Sequence, residues 1–101
     1  MPKYRLEFLP LAAREWARLD GSTQLQFVKV LRRRLEAPRV TQAALAGMAD
    51  CYKIKLRALG YRLVYRVEDD VLVVLVLAVG KRDREEAYKA ALARLSAKLE
   101  K

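Results

Sequence analysis

The chain of 101 residues has no histidine and a single cysteine, Cys51. Without histidine it lacks the side chain best suited to proton transfer near neutral pH, and every Ser-His-Asp or Cys-His arrangement is excluded. One cysteine cannot close an internal disulfide, and no Cys or His set has the spacing of a zinc site. Glycine and proline are scarce, with four and three copies, and no Gly-rich phosphate loop, linker or low-complexity stretch occurs. The 12 carboxylates are outnumbered by 21 Lys and Arg. They fall mostly in turns and helix caps, which gives glycosidase-type paired carboxylates no support. The longest apolar run, Val71 to Val79, is far short of the ~20 residues that span a bilayer. The opening MPKYRLEFLP lacks the apolar core of a secretion signal. A cytoplasmic protein without membrane contact is expected.

What is present is a basic, core-forming chain. Hydrophobic residues make up 53% and the net charge is +9, which suits one domain over residues 1–101 and a polyanionic or acidic partner. The charge is concentrated in CYKIKLRALGYRLVYRV, Cys51 to Val67, which holds five basic residues and no acid. In an extended strand successive side chains alternate between faces. Lys53, Lys55 and Arg57 therefore share one face and Tyr52, Ile54 and Leu56 the other. Beyond a turn at Ala58-Leu59-Gly60, Arg62 and Arg66 oppose Tyr61, Leu63, Tyr65 and Val67. One face of this hairpin can pack on a core while the other presents cations.

The remaining elements follow from pattern. Lys3 to Leu9 alternates as a short strand, with Tyr4, Leu6 and Phe8 on one side. Pro10 opens a helix carrying Ala13, Trp16, Ala17 and Leu19, which Gly21 ends. Thr23 and Gln26 fit a capping box for a second helix with Phe27, Val28, Leu31 and Leu35, stopped at Ala37-Pro38. Glu68-Asp69-Asp70 is a turn, and Val71 to Val79 reads as an interior strand broken by Gly80. Asp83, with Glu86 three residues on, caps a last helix whose stripe is Tyr88, Leu92, Leu95 and Leu99. The order β-α-α-β-β-β-α predicts an α+β fold, a small, largely antiparallel sheet packed by a helical hairpin and a C-terminal helix.

Lys53 and Lys55, roughly 7 Å apart along one strand, share their face with Arg62 if the hairpin pairs without a slip. Lys81 and Arg82 follow the interior strand. Fixed cations of this kind can bind a phosphodiester and lower the barrier to its cleavage. The same pattern also describes a solvated basic strand. Arg57 and Arg66 read as surface charge, Lys29, Arg32, Arg33 and Arg34 as a solvated helix face, and Trp16, Tyr52, Tyr65, Tyr88 and Cys51 as packing residues.

GMADCYKIKLRALGYRLVYRV (Gly47 to Val67) and VGKRDREEAY (Val79 to Tyr88) closely resemble the RelE toxins of bacterial type II toxin–antitoxin systems. Arg14-Glu15-Trp16 and LEAPR, ending at Arg39, resemble them more loosely. The resemblance implies a ribosome-dependent, metal-independent endoribonuclease without cofactor. It would cut messenger RNA in the A site of the 70S ribosome, leaving a 2′,3′-cyclic phosphate and a 5′-hydroxyl. The family's site falls on Lys53, Lys55, Arg62, Arg82 and Tyr88. Lys55 is the implied base toward the 2′-hydroxyl, with Tyr88 the alternative. Lys53 and Arg62 hold the phosphate, Arg82 serves the leaving oxygen as acid, and Tyr88 stacks on or orients the RNA. The resemblance also implies an acidic RelB-type antitoxin, whose binding could displace the final helix, and contact with DNA only through the antitoxin complex. The alternatives are a ParE-like inhibitor of DNA gyrase and a non-catalytic nucleic-acid-binding relative.

Overall fold

Valine dominates the segment that becomes the middle of the molecule, and β-branched side chains suit a strand covered on both faces. The computed structural model describes residues 2–99, the side chains of 84, 98 and 99 excepted. Its strands are β1 (Arg5–Phe8), β2 (Cys51–Leu56), β3 (Tyr61–Glu68) and β4 (Val73–Lys81); its helices are α1 (Pro10–Ala17), α2 (Gly21–Glu36) and α3 (Glu86–Leu99). Short 3-10 turns lie at Thr41–Ala43 and Asp83–Glu85. The sheet order is β1-β4-β3-β2, parallel only where β1 meets β4. The expected α+β architecture is the one observed.

Each face of β4 belongs to a separate core. Val74, Val76 and Val79 pack with Ala12 of α1, Phe27 and Leu31 of α2, and Tyr52, Ile54, Leu63 and Tyr65 of the hairpin. Val73, Leu75, Leu77 and Ala78 pack with Ala87, Ala91 and Leu95 of α3. Leu77 and Ala78 face the same way because the β3–β4 register shifts between Val64 and Tyr65, leaving Leu77 as the extra residue of a bulge.

Strand β1 covers β4 only as far as the pair Phe8–Val76, because Pro10 turns the chain into α1. Beyond it, side chains serve the exposed backbone of β4. The Val79 N–H donates to Glu15 Oε1 at 3.0 Å, and Arg94 Nη1 donates to the Leu77 carbonyl at 2.8 Å. The two side chains also form a bidentate pair, at 2.8 and 2.9 Å. This latch ties α3 to α1 across the end of β4.

Three local expectations are corrected. Helix α2 starts at Gly21 behind Asp20, not at a Thr23–Gln26 capping box. The Asp20 carboxylate accepts from the Ser22 and Thr23 hydroxyls, and Thr23 lies buried inside the first turn. Strand β4 is displaced by two residues, because Val71 and Leu72 form part of the β3–β4 turn, with Leu72 at φ 54°, and the strand continues through Gly80 to Lys81. The buried stripe of α3 is Ala87, Ala91 and Leu95, while Leu92 is exposed and Tyr88 half-buried. Small residues decide this: a Cβ added to Gly80 would touch Ala87 and Glu86, so the helix sits close on its alanine face. The Leu99 side chain lies outside the described ones.

Candidate active site

The two faces of the basic hairpin separate as the alternation requires. Tyr52, Ile54, Leu63, Tyr65 and Val67 enter the core under α1 and α2. Strands β2 and β3 pair without a slip, which sets Lys55 directly opposite Arg62 and Lys53 opposite Val64. Arg62 in turn pairs with Gly80 of β4. Its Nη1 donates to the Tyr61 carbonyl at 3.0 Å, so the guanidinium is folded back along its own strand.

Arg82 reaches this cluster through the hairpin turn. Its N–H donates to the Gly60 carbonyl at 2.8 Å, and Gly60 N–H bonds the Leu56 carbonyl at 2.8 Å. The Arg82 side chain lies over the turn, where a Cβ on Gly60 would stand 3.8 Å from its Nε. Gly60 has φ 73°, so the position favours glycine for its backbone. Gly60→Ala should cost about 1–2 kcal/mol, read as a drop of several degrees in thermal unfolding, and should loosen the seat of Arg82.

Lys53, Lys55 and Tyr88 line one groove of about 540 Å³, closed by Leu45 to Met48 on one side and by Glu85, Lys89 and Leu92 of the opposite wall. Tyr88 lines the groove, and its hydroxyl is buried with no hydrogen-bond partner among the described residues. The expectation that Tyr88 serves only as packing is therefore half met: it flanks the apolar core and borders the lysines. Lys55 itself is exposed. Its pKa is held below the ordinary lysine value, first by the neighbouring Lys53 ammonium, then by partial desolvation and by Arg57 and Arg62.

All five expected site residues therefore sit at one end of the β2–β3–β4 sheet. The groove holds three of them, Arg62 pairs with Lys55, and Arg82 covers the turn that joins their strands. Arg57 also belongs to this field, being one of the charges that depress Lys55. Sequence reasoning missed Arg34. Its Nη1 donates to the Lys53 carbonyl at 3.1 Å and to the Tyr65 hydroxyl at 2.9 Å, and its guanidinium lies 5.8 Å from the Tyr65 ring centroid. The hydroxyl in turn donates to the Pro38 carbonyl at 2.6 Å. Nothing in the run RRR of α2 marks Arg34, whose place emerges only when α2 packs on β2. Cys51 is an inert packing residue, its thiol pushed up to about 11 chiefly by burial.

The family model described as the ParE toxin of the parDE type II toxin–antitoxin system matches residues 6–86. The chain is 49% identical over 92 residues to the mRNA interferase toxin RelE of Escherichia coli (strain K12), covering 91% of this chain and 97% of that one. It is 46% identical over 93 residues to a putative RelE-like toxin protein of Escherichia coli, covering 92% and 98%. Among solved structures, an arginine-to-alanine mutant of E. coli toxin RelE in the free state superposes with a TM-score of 0.85 at 46% identity, over 94% of this chain and 99% of that one. RelE in the intact E. coli RelBE toxin–antitoxin complex gives 0.77 at 49% identity, over 80% and 99%.

Proposed function

The chain belongs to the ParE toxin family of type II toxin–antitoxin systems, and we propose that it is an mRNA interferase that stops translation by cutting messenger RNA in the ribosomal A site. The observation that carries this reading is Lys55 facing Arg62 beside Lys53 and Tyr88, in a chain half identical to an mRNA interferase. A crowded lysine with a lowered pKa can take a proton, and guanidinium groups around it can hold a phosphate.

In this mechanism Lys55 removes the proton of the ribose 2′-hydroxyl, and that oxygen attacks the adjacent phosphorus. Lys53 and Arg62 meet the charge that builds on the phosphate oxygens. The bond from phosphorus to the 5′-oxygen breaks, and Arg82 supplies charge and a proton to the leaving oxygen. The products are a 2′,3′-cyclic phosphate and a 5′-hydroxyl. Tyr88 stacks on or orients the nucleotide at the cut. A site of Lys and Arg is poorly matched to proton transfer at neutral pH, so positioning by the ribosome supplies much of the rate. Orientation alone can contribute on the order of 7–11 kcal/mol.

An acidic antitoxin of the RelB type is the natural protein partner of the +9 surface, as RelB is of E. coli RelE. The site of action is the cytoplasm, and no helix among the described residues is long and apolar enough to cross a membrane.

The test is cleavage of a defined message programmed into 70S ribosomes, with a ribosome-free control. Cuts within the A-site codon, bearing cyclic-phosphate ends and appearing only with ribosomes, are expected. Equal cutting of naked RNA would refute the ribosome dependence. The family model carries the ParE description, so DNA gyrase supercoiling is assayed in parallel. Gyrase inhibition without cleavage would replace the nuclease reading.

A further inference from the structure

Strand β2 is the edge of the sheet, and its outer side is only partly covered. Residues 44 and 45 pair with its beginning, through the Ala44–Tyr52 bridge and the bond from Leu45 N–H to the Cys51 carbonyl at 3.0 Å. Further along, Arg34 of α2 reaches around to cap the Lys53 carbonyl. A second groove, of about 290 Å³, opens here. Arg34, Gln42, Lys53, Lys55 and Arg57 line it, with no carboxylate among the lining residues.

Three observations define what this groove can hold. Four cations converge on one small concavity, which favours an anion. Arg34 is pre-oriented: the two bonds from its Nη1 and the Tyr65 ring fix the guanidinium plane. Among the described residues its Nε and Nη2 have no partner, and a planar fork of that kind suits phosphate oxygens. Lys53 and Lys55 line both this groove and the one that contains Tyr88. The two grooves therefore adjoin across β2, and a polyanionic strand with its reacting phosphate by Tyr88 can reach Arg34.

We propose that the groove bounded by Arg34, Gln42 and Arg57 is a second phosphate subsite, which binds a backbone phosphate of the messenger RNA flanking the cut and so fixes the register of the scissile step. The proposal rests on the mRNA interferase reading. Arg34 contributes affinity and alignment for the strand, and the bond-breaking groups remain those beside Tyr88. Gln42 offers an amide donor to the same phosphate or to its sugar.

The test pairs Arg34→Gln with messages in which single phosphates are made neutral by methylphosphonate substitution, one position at a time on each side of the cut. Single-turnover cleavage is measured on programmed 70S ribosomes, and thermal unfolding is followed for each variant. In the wild type one flanking position should cost about tenfold in cleavage efficiency. With Arg34→Gln the unmodified message should lose about as much, and neutralising that same phosphate should then cost little more, a coupling that a purely structural role does not produce. Arg57→Gln should show a smaller coupling to the same position. If Arg34→Gln weakens every message equally, with no position coupled, Arg34 acts through ribosomal RNA or through the fold and the proposal is overturned. If the wild type cleaves and no flanking phosphate matters, the subsite is overturned while the nuclease reading stands. If the wild type cleaves nothing, the nuclease reading fails and the subsite falls with it.

Discussion

Lys55→Met should lower ribosome-dependent cleavage by about 10²–10⁴-fold, the range typical of removing a positioned acid or base, while leaving thermal stability close to that of the wild type. The side chain is exposed and belongs to neither core, so little packing is lost. The pH dependence makes the role specific. A base must be deprotonated, so the rate should rise with pH until Lys55 has lost its proton. Lys53 is the largest influence holding the Lys55 pKa down, with Arg57 and Arg62 adding to it. Lys53→Met and Arg57→Met should each raise that pKa and move the rising limb to higher pH, Lys53→Met by more. Arg57 lies outside the groove with Tyr88, so its shift tests electrostatics with the reacting groups intact. A limb that stays in place when Lys53 is removed would assign the base to another group, with Tyr88 next in line.

Arg94→Met should destabilise the protein by roughly 3 kcal/mol, within the range for breaking a largely buried ion pair, lowering Tm on the order of 15 °C. The Arg94 and Glu15 side chains are only 17% and 26% exposed. Removing the guanidinium leaves the Glu15 carboxylate without its counter-charge and the Leu77 carbonyl without a donor. Burial pushes the Glu15 carboxyl up, but the bonds from Arg94 and the Val79 N–H outweigh it, so its pKa lies below the usual 4.5. A carboxyl whose folded pKa is lowered stabilises the fold above the unfolded value and loses that contribution as pH falls through the folded one. The stability gap between wild type and Arg94→Met should therefore narrow in acid, from about pH 4.5 downward. Equal gaps at pH 7 and at pH 3 would show that the loss is packing and not charge. The double variant Glu15→Gln/Arg94→Met should recover part of the loss, because no unpaired charge remains.

The hairpin was readable from sequence because its signal is local. With a period of two and a short turn, the identity of Lys53, Lys55 and Arg62 fixes their shared face, and the structure pairs them as the alternation demands. Strand β4 was readable as interior because it is apolar throughout, but its ends were not. Val71 and Leu72 are as hydrophobic as the residues that follow, and only the geometry of the β3–β4 turn places them outside. The α3 stripe was misread because large apolar residues suggest a core, whereas close approach over Gly80 selects the alanines. Asp20 was overlooked as the start of α2 because Thr23 and Gln26 match a capping box equally well in letters. Arg34 and the Glu15–Arg94 latch depend on contacts between residues 19 to 79 positions apart, and no spacing rule reports them.

The parallel pair of β1 and β4 also bears on how the chain is made. β1 lies at residues 5–8, yet its partner begins at Val73, and α1 and α2 rest on a sheet whose central strand is that same late segment. A nascent chain that has emerged only as far as the hairpin lacks β4 and α3, and with them the groove wall that carries Tyr88, and long-range pairing of this sort is slow to form. Assembly of the site is thus deferred by topology. During synthesis there is an interval in which the hairpin has emerged and the scaffold that gives its cations their geometry has not yet formed.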